Sequence, residues 1–251
     1  MIIAFICIVL IFNTMETISI HRPKIVVIGS CNTDMVVKAN RLPVPGETIL
    51  GGTFYMNPGG KGANQAIAAA RLGAEVTFIS KIGYDLFGLQ ALEIYRSEKI
   101  NTEYIFTDQK SPSGVALISV DSFGENSIIV APGASRSLSI EDINKAEEKI
   151  KEADIILMQL EIPIDTVEYA ATIACKYGKK VILNPAPASS LSNSFLMNVH
   201  TILPNRIEAE MLSGIKVMNI ESAHRAAQAI GEKGIENVVI SRRPSGLRKT
   251  T

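Results

Sequence analysis

From residue 140 onward, helical and extended patterns alternate without a break. Apolar spacing predicts helices over 140–152, 164–177, 205–213 and 221–233, separated by strands near 154–160, 180–184, 200–203 and 236–241. Strands linked by helices cannot close as hairpins. Each helix is a crossover, and the product is a mostly parallel sheet covered on both faces. Nearer the start, Ile25–Ile28 and Glu75–Ile82 read as further strands and Asp85–Glu98 as a helix. Two stretches depart from this rhythm. Residues 36–58 and 113–131 are rich in Gly, Pro and β-branched types and lack a helical period. They read as antiparallel strands of a separate small sheet, with Asp121–Asn126 as a hairpin turn. The expected class is α/β, with a smaller β-sheet attached.

The run Asn57-Pro58-Gly59-Gly60-Lys61-Gly62-Ala63-Asn64-Gln65 leads straight into the alanine-rich Ala66–Ala70. Adjacent glycines allow a tight turn and close backbone approach to a ligand, and alanine favours the helix that follows. A Gly-rich turn feeding a helix offers unpaired N–H groups and a positive dipole end to oxygen-rich ligands. Two nucleotide motifs are excluded. A P-loop needs Ser or Thr after the lysine and Gly in place of Met56, and no Gly-x-Gly-x-x-Gly follows a strand here. Lys61 and Asn64, spaced i, i+3, can share a helix face as donors.

Ligands in open α/β sheets bind beyond the carboxyl ends of the strands. Asn32 and Asp34 follow the first strand, Glu161 follows strand 154–160, and Asn205 follows strand 200–203. Any one of these reads most simply as a helix cap; together with the Gly-rich turn they outline one oxygen-lined pocket. Asn32 and Asp34 point the same way if extended. A carboxylate that accepts two hydrogen bonds, beside an amide that donates and accepts, suits a polyol. Asn205 and Glu208 form an i, i+3 pair at a helix start, where a carboxylate suits a hydrated Mg²⁺. His21, His200 and His224 are too scattered to form a ligand set, and Cys31 reads as a small buried filler.

Six segments occur in an order that resembles the ribokinase family of PfkB-type sugar kinases. They are Gly29-Ser30-Cys31-Asn32-Thr33-Asp34, Arg41–Thr48, the Gly-Gly-Lys-Gly run, Met158–Glu161, Asn184-Pro185-Ala186-Pro187-Ala188 and Pro204–Glu210. The resemblance covers roughly residues 24–241 and implies a Rossmann-like body, mostly parallel and flanked by helices, with a β lid closing over the sugar. It implies pentose binding by Asn32, Thr33, Asp34, Gly60, Lys61, Gly62, Asn64 and Glu161. Asn205, Glu208, Ser241 and Gly246 fall at nucleotide or phosphate positions, with Glu208 holding Mg²⁺ through water. It further implies ATP and D-ribose as substrates, a monovalent cation (K⁺), a cytoplasmic setting and a homodimer paired through the lid. Another sugar or nucleoside kinase, or a non-catalytic binding or dimerisation protein of this descent, is the alternative.

The family's second signature, Asp-Thr-x-Gly-Ala-Gly-Asp, occurs nowhere in the sequence, so no residue is assigned as catalytic base. After Val238-Val239-Ile240 the chain departs into Ser241-Arg242-Arg243-Pro244-Ser245-Gly246. The expected organisation is an N-terminal extension (1–23), an incomplete kinase domain (24–241) and a divergent tail (242–251). The apolar run Ile2–Phe12 is too short to span a bilayer. No Lys or Arg precedes it and no small-x-small cleavage site follows it, which favours Met15 as the working start. Lys plus Arg equals Asp plus Glu at 25 each, so no net field favours nucleic acid or an anionic membrane. Three widely spaced cysteines form no disulfide framework.

Overall fold

A computed structural model describes residues 22–241, so the Ile2–Phe12 run, Met15, His21 and Gly246 lie outside the described residues. The strands, in chain order, are β1 (Lys24–Ile28), β2 (Asn32–Lys38), β3 (Thr53–Gly59), β4 (Glu75–Gly83), β5 (Ile105–Asp108) and β6 (Gly114–Val120). They continue with β7 (Asn126–Ala131), β8 (Ile155–Met158), β9 (Lys180–Leu183), β10 (Thr201–Ile202) and β11 (Asn237–Val238). Helices α1 (Lys61–Arg71) and α2 (Leu86–Ser97) lie in the first half, and a 3-10 turn spans Gly133–Ser137. The second half adds α3 (Ile140–Lys145), α4 (Glu147–Glu152), α5 (Ile164–Lys176), α6 (Asn193–Leu196), α7 (Arg206–Ser213) and α8 (Ile220–Gly231). The helix expected over 140–152 is thus two short helices meeting at Ala146.

The main sheet has the order β11-β10-β9-β8-β1-β4-β5, and its neighbouring strands run parallel. Buried on both faces, β1 is apolar without alternation: Val26, Val27 and Ile28 are all buried. Successive side chains serve opposite layers. Val26 and Ile28 pack with Ile156, Met158, Val181 and with Val167 and Ala170 of α5. Val27 joins Phe78, the α1 stripe Ala63, Ala66 and Ala69, and Tyr95 of α2. Each Val or Ile so buried contributes about 1.5–3 kcal/mol. Among the described residues, no helix is long and apolar enough to cross a membrane.

The small sheet has the order β3-β2-β6-β7. It is mixed, which corrects the expectation of a purely antiparallel sheet. The pairs β2–β3 and β6–β7 are antiparallel, but β2 and β6 run parallel from Asn32↔Gly114 to Lys38↔Val120. Both strands leave the main sheet from its carboxyl edge, one after β1 and one after β5, so they travel outward side by side. The lid also starts earlier than expected, and Asn32 and Asp34 stand on its first strand. Asp85, the N-cap of α2, ties lid to body. Its carboxylate accepts from Gly88 N (2.9 Å) within the helix and from Ser113 N and Ser113 Oγ (both 2.7 Å) at the foot of β6. Burial works against that charge, but these bonds outweigh it and hold the carboxyl below its usual range.

Strand order fixes where a ligand enters. The chain runs outward from β1 through β4 to β5, then returns to β8 on the other side of β1 and continues outward to β11. The reversal falls between β1 and β8, and crevices form at the carboxyl ends there.

Candidate active site

A cleft of about 290 Å³ opens at this switch point. Ser30, from the loop after β1, and Leu160 and Glu161, from the loop after β8, form its floor. Asn32 at the start of β2, Val130 at the end of β7, Pro132, Arg136 of the 3-10 turn and Pro187 complete the lining. Body and lid therefore both contribute walls.

Glu161 is held from three directions. Its Oε2 accepts from Ser30 Oγ (2.5 Å) and from the backbone N of Lys61 (2.9 Å), and Lys61 Nζ stands 3.4 Å from Oε1. The Lys61 N–H is an orphan of the first turn of α1, so the carboxylate also sits at the positive end of the helix. Gly60, the N-cap of α1, makes this possible. Its φ of 89° is one that L side chains rarely adopt, and a Cβ there would meet Asn32 N and Ser30 O at 3.0 Å. Gly62, in the first turn, lies buried against the backbone of Gly29 and Ser30.

Asn32 is 5% exposed, and its Oδ1 accepts no hydrogen bond among the described residues. Two residues along β2 on the same side, the Asp34 carboxylate occupies the space that a side chain at Gly59 would need. Burial, and then the nearby Glu161 charge, push the Asp34 carboxyl above its usual range, with Lys61 pulling the other way. Behind this floor, Cys31 Sγ lies 2.9 Å from Tyr95 Oη, and burial raises the thiol to about 11. The cysteine is a buried filler rather than a nucleophile.

The structure brings Asn32, Asp34, Gly60, Lys61, Gly62 and Glu161 together. Thr33 is not among them. Strand alternation puts it against Met56, Pro58 and Phe87, in a separate recess of about 140 Å³. Asn64 is exposed and does not line the cleft. At a distance in the fold, Asn205 and Glu208 form a capping box on α7. Asn205 Oδ1 accepts from Glu208 N (3.0 Å), while Asn205 N and Nδ2 donate to Glu208 Oε2 and Oε1 (2.7 Å each). Ser241 pairs with Asn205 in an isolated parallel bridge, so these two do meet at the carboxyl edge of the sheet. His200 is peripheral, beside Thr201 and Glu236.

Sequence reasoning missed Ser30 and Arg136. Ser30 carried a usable signal, standing in the same Gly-Ser-Cys-Asn loop as Asn32. Arg136 carried none.

This arrangement of switch-point cleft, Gly-rich helix start and β lid is built to hold a small oxygen-rich ligand. The chain belongs to the pfkB family of carbohydrate kinases, which it matches over residues 22–247. Among its relatives, the ribokinase of Haemophilus influenzae is 45% identical over 226 residues, covering 90% of this chain and 74% of the relative. The deoxyribokinase of Salmonella typhi is 38% identical over 218 residues, covering 86% and 71%. The structure of Arabidopsis thaliana ribokinase complexed with ribose and ATP superposes with a TM-score of 0.77 at 31% identity, covering 87% of this chain and 72% of that one.

Proposed function

We propose that the cleft binds D-ribose and that the chain is of the ribose-phosphorylating type, in which ATP and D-ribose give ribose 5-phosphate and ADP. One observation carries this reading. The site offers a charged acceptor that lacks a donor: the half-buried Asp34 carboxylate, near Glu161, accepts no hydrogen bond among the described residues, while Asn32 lines the cleft with its Oδ1 shut in against Gly114. Such a site suits a ligand that brings several O–H donors, as a sugar does. Lys61 and Ser30 fix Glu161 as a further acceptor.

The residues' parts follow from their chemistry. Asp34 and Glu161 accept from sugar hydroxyls and orient the ring, and Asn32 can both donate and accept. Val130 and Pro132 bring the lid against the sugar and exclude water. The base that takes the hydroxyl proton is not assigned to any residue of this chain, so the test is binding rather than turnover. ATP is the co-substrate of this reading, and a bound magnesium ion would neutralise its phosphates. Both Glu208 oxygens are engaged by Asn205, and among the described residues no group of three or more His, Cys, Asp or Glu could hold a metal. That geometry does not fit direct ligation of magnesium by Glu208; only contact through water remains open to it.

The 2-deoxy sugar is the second reading, favoured by the deoxyribokinase relative. Calorimetry with both pentoses separates them. A site built to hydrogen-bond a hydroxyl rejects the analogue lacking it, so the expected result is tighter binding of D-ribose. Equal affinities, or none for either sugar, would overturn the assignment. The reading includes a homodimer through the lid, whose outer strands expose Phe54, Tyr55, Ile128 and Ile129 on open edges. A monomer in sedimentation at micromolar concentration would remove that part.

A further inference from the structure

The cleft contains a cation that a neutral sugar does not need. Arg136 is exposed and lines the cleft with Ser30, Asn32 and Glu161. It makes no ion pair or side-chain hydrogen bond among the described residues, whereas the other cation of the site, Lys61, is committed to Glu161. Its backbone is fixed on both sides. Ser135 Oγ accepts from Cys31 N at 3.2 Å, anchoring the 3-10 turn to the residue just before Asn32. Ser137 Oγ donates to Asp108 (2.5 Å), and Lys81 Nζ donates to Ser137 O (3.1 Å) while pairing with the buried Asp142 (2.8 Å). A guanidinium is thus presented from a rigid turn, beside acceptors that suit an uncharged sugar, with its own charge unmatched. Its planar fork fits a phosphate bidentately.

Building on the sugar-binding reading, we infer that Arg136 holds a phosphoryl group at the sugar cleft. That group is either the phosphate on the sugar after transfer or the terminal phosphate of the nucleotide before it. Neither Ser30 nor Glu161 can do this, since one donates to a carboxylate and the other is one.

Calorimetry on the whole chain and on R136Q, with D-ribose, ribose 5-phosphate and ATP, decides it. The expected result is a loss of about tenfold or more in affinity for a phosphorylated ligand, as for hydrogen bonds to charged groups. D-ribose affinity should stay within about twofold, and R136K should recover only part of the loss because an ammonium is a point charge. Loss for ribose 5-phosphate places the group on the sugar; loss confined to ATP places it on the nucleotide. If neither ligand weakens, or D-ribose weakens by the same factor, the inference is wrong. Should the unaltered chain bind no D-ribose, the sugar reading fails by itself. Ribose 5-phosphate and inorganic phosphate then still decide the Arg136 inference by the same comparison.

Discussion

Glu161 and Glu208 look alike in the sequence, since both are carboxylates shortly after a strand of the main sheet and both belong to segments that suggest a ligand site. Their wiring differs. Glu161 is held across the fold, by Ser30 from the β1 loop and by the backbone and side chain of Lys61 at the start of α1. Glu208 is held within its own helix turn by Asn205. A local capping box is a complete account of a carboxylate, because it satisfies two orphan N–H groups. A carboxylate assembled from three distant segments beside an empty acceptor has no such local account. We propose that the first serves the site and the second the helix, and the predictions at Glu161 and Glu208 test that division.

The largest expected effect is at Glu161. In Glu161→Ala two charged contacts are lost and Lys61 loses its partner, so D-ribose affinity should fall by about 100-fold or more. The melting temperature should move by only roughly 2–4 °C, since the site is open to water and the core is untouched. Calorimetry paired with a thermal melt checks both. A folded variant that keeps its ribose affinity would place Glu161 outside the sugar site.

Asp34 comes next. Asp34→Asn keeps the shape but removes a charged acceptor, for an expected loss of about 1.5–3 kcal/mol of ribose binding. The same residue predicts a pH dependence. Burial and the Glu161 charge raise its pKa, which favours the protonated form in the free protein. Sugar hydroxyls bind the ionised form, so below that raised pKa binding must first expel a proton. Affinity should therefore fall as pH drops, by about tenfold per unit once below it, starting above the ordinary aspartate value of about 3.9. Asp34→Asn should flatten that slope, and a slope that survives the substitution would assign the titration to another group.

The fold was legible where physics is local. Apolar runs of β-branched residues such as Lys24–Ile28, separated by amphipathic helices, leave few options beyond a parallel sheet, and the Gly59-Gly60 turn marked the start of α1, whose Lys61 N–H meets Glu161. The direction of the β2–β6 pair was not legible, because it depends on where two distant segments leave the main sheet. Thr33 was misplaced by contiguity: it belongs to the motif, yet the same period-two argument that unites Asn32 and Asp34 sends it to the opposite side. Arg136 was invisible because a 3-10 turn, anchored through Ser135 and Ser137, carries it into the cleft from more than a hundred residues beyond Ser30. The Asn205-x-x-Glu208 spacing was readable as a capping box and equally readable as a phosphate motif. The partners of each oxygen are what supports the cap.

The smallest effect is therefore the sharpest test of the comparison. Glu208→Ala removes the reciprocal half of the cap and leaves the Asn205 N–H without its acceptor. It should cost about 1 kcal/mol of folding stability, read as a lower urea midpoint at unchanged slope, with ribose affinity untouched. Glu208→Gln should cost only a few tenths of a kcal/mol, because glutamine also closes a capping box at this position. A carboxylate needed for its charge would behave differently, with Gln as damaging as Ala. If both substitutions weakened binding of magnesium–ATP equally and left the urea midpoint alone, Glu208 would join Glu161 as a site residue, and the contrast between local and distant wiring would fail.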